Sequence, residues 1–169
     1  MKNKSENTKT SKIFIVSQII FVIILVGLLA FGASLIFKKP TYKTTQIKNY
    51  RFDLNQDITW EEYQKTDDSL SYSGTLRNTN ICYLTIYDVE GYDKKDSLTE
   101  ALKKYYDQSK DYSDISNINK TDNYESITGS TSDGGKMETR VYDSNSYITI
   151  IWSNSLELDE CMQNITYNK

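Results

Sequence analysis

The sequence predicts an α+β fold: an antiparallel sheet of about five to six strands with two packed helices, preceded by one transmembrane helix. Three observations point there. Residues Ile13 to Phe37 form an uncharged, apolar run of 25 residues. Beyond it, short segments alternate apolar and polar residues with the period of two that marks half-buried strands. Two further segments repeat their apolar residues at i, i+3, i+4 and i+7, the spacing of one helix face.

At about 1.5 Å rise per residue, the apolar run exceeds the roughly 30 Å hydrocarbon core of a bilayer. Its only polar side chains are Ser17, Gln18 and Ser34, so it lacks the polar stripe of a surface helix. Lys9 and Lys12 before it, and Lys38, Lys39 and Pro40 after it, end it sharply. A cleaved signal peptide ending near Ala30-Phe31-Gly32 is the competing expectation. The run continues past that point to Phe37, however, and is longer than the roughly 7 to 15 apolar residues of such signals. Basic residues flank both ends, Lys2, Lys4, Lys9 and Lys12 against Lys38, Lys39, Lys43, Lys48 and Arg51, and give no orientation. Drawing four lysines outward works against the membrane potential, about 2.3 kcal/mol per charge per 100 mV. The expected organisation is therefore a basic cytoplasmic tail over 1–12, a transmembrane helix over 13–37 and a polar tether over 38–47. An extracytoplasmic domain over 48–169 completes it, held at the cell membrane.

Within the domain, Tyr50, Phe52 and Leu54 alternate with polar residues as a first strand, and Ile58-Thr59-Trp60 opens a second. A turn at Thr66-Asp67-Asp68 leads to Leu70, Tyr72 and Leu76. Another, Arg77 to Asn80, precedes Ile81 to Val89, where Cys82, Leu84 and Ile86 face one way and Tyr83, Thr85 and Tyr87 the other. Ser97-Leu98-Thr99-Glu100 fits a capping box. Behind it, Leu98, Ala101, Leu102, Tyr105 and Tyr106 form one apolar helix face. Tyr124–Thr131 and Lys136–Tyr142, joined by Asp133-Gly134-Gly135, read as a hairpin, because Asp-Gly supplies the positive φ that such turns need. Tyr147–Trp152 follows as a strand. A last helix is expected from near Ser155, with Leu158, Cys161, Met162 and Ile165 on one face.

The extended Asn49–Leu54 start, Trp60 soon after, the DSLTEAL helix, the ESITGS strand and the SYITIIWS strand before a terminal helix resemble the PsbP-like fold. That fold is shared by a photosystem accessory subunit, a nuclear Ran-binding protein and bacterial surface proteins. The resemblance covers most of the domain, rests on element order and hydrophobic pattern, and implies a sheet-and-helix sandwich used for binding and scaffolding. It carries over no functional residue.

Composition excludes several chemistries. The chain has no histidine, which removes Ser-His-Asp and Cys-His nucleophile systems and imidazole zinc sites. Residues 1 to 40 hold six of the 20 basic residues and one of the 23 acidic ones. That leaves 14 against 22 beyond them, a net charge of −8, which repels nucleic acid. Asp53-Leu54-Asn55-Gln56-Asp57 begins like a calcium loop, but Ile58 stands where glycine is needed and Gln64 where the bidentate glutamate belongs. Neither metal nor cofactor is expected. Glu61 with Glu62 and Asp67 with Asp68 are neighbouring carboxylates, and alternate strand residues point to opposite faces, unlike a converging catalytic pair. Cys82 and Cys161 both fall on expected core faces. Packing the last helix on the sheet brings them near the roughly 4.4 to 6.8 Å Cα separation of a disulfide. Two states are open, a bond or two buried free thiols.

All 14 tyrosines lie beyond the apolar run. Tyr83, Tyr87, Tyr142 and Tyr147 are the candidate binding-surface aromatics, with Tyr105 and Tyr106 nearby on the helix, because a ring half-buried with a wet hydroxyl suits an interface. The expected function is a single-pass, membrane-anchored, extracytoplasmic binding or accessory module, without catalysis, that recognises a protein or envelope component. Its expected partners are the lipid bilayer, through Ile13 to Phe37, and that component. Two alternatives stand beside it: a subunit of a membrane assembly packed through Gly27, Ala30 and Ser34 of the helix, and a carboxylate-based hydrolase.

Overall fold

The computed structural model describes residues 39–168, and the compact unit begins at Pro40. The expected transmembrane helix over 13–37 lies outside the described residues. Among the described residues no helix is long and apolar enough to cross a membrane.

The chain opens with five strands, β1 (Tyr42–Ile47), β2 (Tyr50–Asn55), β3 (Thr59–Lys65), β4 (Ser69–Leu76) and β5 (Thr79–Asp88). Helix α1 (Lys95–Gln108) and two very short strands, β6 (Tyr112–Ser113) and β7 (Asn119–Lys120), follow. Then come β8 (Glu125–Thr131), β9 (Lys136–Val141) and β10 (Ser146–Trp152). A single helical turn, α2 (Leu158–Cys161), leads into β11 (Met162–Tyr167). The strands build a large sheet in the order β3-β4-β5-β10-β9-β8-β6, with β7 also on β8, and a small sheet in the order β1-β2-β11. Every pairing is antiparallel.

The fold is thus a mostly β, two-sheet sandwich of eight and three strands. It is not the expected α+β layer of five to six strands with two packed helices. Two local features account for the difference. The last apolar series is a strand: Met162 and Ile165 are both buried, yet they lie three residues apart because the β11 register shifts between Gln163 and Thr166, where Asn164 has φ +50°. A bulge that inserts one residue turns a period of two into a spacing of three, which imitates a helix. Secondly, Tyr42–Ile47, expected within the tether, is the edge strand β1. Its polar Lys43, Thr44 and Gln46 are exposed, and β2 alone supplies its partner.

Helix α1 also begins earlier than Ser97. Lys94 is its N-cap, without a side-chain cap, and Thr99 is buried and donates from Oγ1 to the Lys95 carbonyl, 3.0 Å. The capping box instead occurs at α2, where the Glu157 side chain accepts from the Glu160 amide and Glu160 accepts from the Glu157 amide at 2.8 Å.

The core follows from alternation. Tyr50, Phe52 and Leu54 of β2 meet Cys82, Leu84 and Ile86 of β5 and Ile148, Ile150 and Trp152 of β10 between the two sheets. Cys82 and Cys161, both without exposed surface, are joined by a disulfide with Cα atoms 6.3 Å apart. The bond ties the large sheet to the residue just before β11. The opposite face of the large sheet is covered at β8 and β9 by α1, whose Tyr106 packs with Ile127 and Met137. The Tyr106 hydroxyl lies 2.8 Å from Thr139 Oγ1 and 3.3 Å from Thr149 Oγ1.

Candidate functional site

One end of the sandwich is built from three turns and two strand ends. The β1–β2 turn brings Lys48 and Asn49, the β3–β4 turn Asp67 and Asp68, and the end of β5 brings Tyr87, Asp88 and Glu90. The β9–β10 turn adds Asp143 and Asn145, and β11 ends there at Tyr167. Together they enclose a cleft of about 1110 Å³. Backbone bonds fix the frame: the Asp88 amide donates to the Asp68 carbonyl and the Val89 amide to that of Asn145, each at 2.8 Å. Asp143 closes its own turn by accepting from the amides of Asn145 (2.8 Å) and Ser146 (2.9 Å) through Oδ1, while its Oδ2 accepts from the Tyr167 hydroxyl.

Five carboxylates and one ammonium line the cleft. Lys48 is taken by Asp88, 2.6 Å away, and Asp143 is occupied within its turn. Asp67, Asp68 and Glu90 have exposed side chains with no hydrogen-bond or ion-pair partner among the described residues. The site therefore presents uncompensated negative charge beside aromatic surface.

That surface belongs to the large sheet. Tyr87 and Tyr147 are opposed across β5 and β10 and stack with centroids 4.6 Å apart and planes at 15°. Tyr87 lines the cleft. Further along the same face, Tyr83 meets Tyr63 edge-on at 6.2 Å, and Tyr63 is 54% exposed. Burial raises the Tyr87 and Tyr147 phenols above their ordinary value, and the neighbouring Tyr106 hydroxyl adds to both shifts. These phenols stay neutral at any physiological pH.

Of the four tyrosines expected at a surface, Tyr83, Tyr87 and Tyr147 share this half-exposed face. Tyr142 does not. It is buried in the core between the sheets, edge-on to Tyr50 at 5.4 Å and near Tyr167 and Tyr124. It follows β9 directly, at the position whose side chain turns inward. Asp67 and Asp68 form no converging pair with a buried partner, and the residues of the calcium-like run are structural. Asp53 accepts from Thr44 Oγ1 (2.6 Å) and Asn164 Nδ2 (2.8 Å), and Asn55 donates to the Glu160 carbonyl (2.7 Å). Among the described residues no group of three or more carboxylate or thiol side chains is arranged to hold a metal ion. Sequence reasoning missed Glu90 and Asp143, which sit in separate turns. Counting strand register would have placed every one of these turns at the same end of the sheet.

No protein-family model matches the chain, and no curated protein matches it.

Proposed function

We propose that the chain is a single-pass, membrane-anchored, non-catalytic binding module whose outward-facing domain holds a cationic segment of a protein partner in the acidic cleft. The observation that carries this is the set of unpaired Asp67, Asp68 and Glu90 carboxylates beside the stacked Tyr87 ring. Carboxylates attract lysine or arginine head groups, and a phenol face adds a cation–π contact of about 0.5 to 1 kcal/mol at an exposed site. The net charge of −8 on residues 41–169 steers a basic partner toward this surface. An outward orientation agrees with the Cys82–Cys161 disulfide, because such bonds persist outside the cytosol.

The test is titration of the full chain, in nanodiscs, with a lysine- and arginine-rich peptide and with an acidic peptide of equal length. Binding of the basic peptide alone, weakening as salt rises from 50 to 300 mM, is expected from screening over roughly 10 Å at 0.1 M. The variant Asp67→Asn/Asp68→Asn/Glu90→Gln is expected to bind at least tenfold more weakly. Equal affinity for parent and variant refutes this function.

A further inference from the structure

A second cavity of about 470 Å³ opens between the two sheets on the side away from β11. Its walls are Ile47 of β1, Leu54 of β2, Ile58 just before β3, Trp60 of β3, Tyr72 of β4 and Leu84 of β5. The slot exists because β1 extends the small sheet past the region it packs against, leaving apolar side chains of β3 and β4 under an overhang. Its volume lies in the range of roughly 300 to 1,000 Å³ typical of small-ligand sites.

Thr45, Gln46, Asn55 and Gln56 also line the slot, and two of its polar groups have no partner among the described residues. Lys43, on the same face of β1 as Ile47, lines it with no ion-pair or hydrogen-bond partner among the described residues. The indole N–H of Trp60 is buried without an acceptor. An apolar cavity with one free ammonium and one unused donor suits an amphiphile with a hydrocarbon tail and an anionic head.

The chain itself selects the source. Residues 38–51 carry five basic residues and no acidic one, in a chain whose later part is strongly acidic. Strand β1 starts at Tyr42, five residues after the apolar run ends at Phe37. Five residues reach at most roughly 18 Å when fully extended, so β1 is held near the surface of any bilayer that the run crosses. Basic segments next to a span attract anionic lipid head groups.

We infer that the slot under β1 accepts one acyl chain of an anionic membrane phospholipid, with Lys43 meeting its head group. This rests on the reading of Ile13 to Phe37 as a membrane span. The acyl chain fills the space beside Trp60 and Leu84.

The test uses the full chain in phosphatidylcholine/phosphatidylglycerol nanodiscs with Trp152→Phe, which leaves Trp60 as the single tryptophan. Phosphatidylglycerol brominated at mid-chain is compared with unbrominated lipid and with a head-group spin label. Mid-chain bromine is expected to cut Trp60 emission by at least half and to exceed the head-group label. Thr45→Phe, which fills the slot from β1, is expected to restore the emission, and exposed Lys43→Glu to halve the quenching. Alkylation of both cysteines that is far slower with reductant alone than with reductant and denaturant shows that each variant is folded. Unchanged emission in discs that carry the protein overturns the slot, as does equal quenching in folded Thr45→Phe or stronger quenching by the head-group label. Equal quenching in Lys43→Glu overturns the head-group contact. Failure to co-migrate with the discs overturns the anchor itself, a separate readout.

Discussion

Tyr87 and Tyr147 lie directly opposite each other in the β5–β10 pairing, their rings parallel to within 15° at 4.6 Å, and Tyr87 borders the acidic cleft. The pair links the sheet to the proposed site: what holds one ring also presents the other.

Their coupling is measurable. Offset aromatic pairs contribute about 0.5 to 1.5 kcal/mol beyond area burial. Chemical denaturation of Tyr87→Ala, Tyr147→Ala and the double variant is expected to give an interaction energy in that range. Tyr147→Ala, which does not line the cleft, should weaken basic-peptide binding less than Tyr87→Ala.

The disulfide closes a loop between residues 79 apart in sequence, which in the chain-entropy model stabilises by about 4 kcal/mol. Cys82→Ala/Cys161→Ala is therefore expected to lower the denaturation free energy by about 2 to 5 kcal/mol. Because both cysteines are wholly buried, reductant should expose alkylatable thiols in the folded protein far more slowly than in denaturant, as mass spectrometry would record.

Asp53 ties the small sheet together, accepting from Thr44 on β1 and Asn164 on β11. These bonds hold its carboxyl below its usual value of 3.8. A group with a depressed folded value adds stability that is complete above the unfolded value and is lost as pH falls through the folded one. Asp96, beside Lys120, and Asp133, beside Thr131, are lowered as well. Denaturation midpoints should hold steady from pH 7 to 5 and fall below about pH 4. Asp53→Asn should be less stable at pH 7 and show a shallower acid decline.

Gly74 sits beneath the Trp60 ring. A Cβ there would lie 2.9 Å from Ile58 Cγ2 and 3.1 Å from Trp60 Cζ2. Overpacking of this kind costs about 1 to 3 kcal/mol. Gly74→Ala should lower stability by that amount and shift Trp60 emission in the Trp152→Phe background.

Strands whose alternation runs unbroken were legible in the sequence: β2, β5 and the β8–β9–β10 series follow from Tyr50-Phe52-Leu54, Cys82-Leu84-Ile86 and the Asp-Gly turn. Strand β11 was not, because a single inserted residue at Asn164 reproduces helical spacing. Strand β1 was not, because Lys43 and Gln46 at a sheet edge look like a tether. At the site, Tyr87 and Tyr147 followed from facing away from Cys82 and Leu84. Tyr142 could not be told from them, since a ring's burial depends on what lies above it. The cleft depends on three turns and two strand ends meeting at one end, and that information lies in strand order rather than in any local segment.

The small sheet has a consequence for the order of events in biogenesis. Its central strand, β2, pairs on one side with its immediate neighbour β1 and on the other with β11, and the Asp53–Asn164 bond that pins this arrangement joins residues 111 apart in sequence. At about 5 to 20 residues per second of synthesis, β2 waits roughly 5 to 20 s for its second partner. Cys82 waits a comparable time for Cys161. The domain therefore cannot seal its core in passing; an early, open hairpin has to be kept from other strands until the far end of the chain arrives to close it.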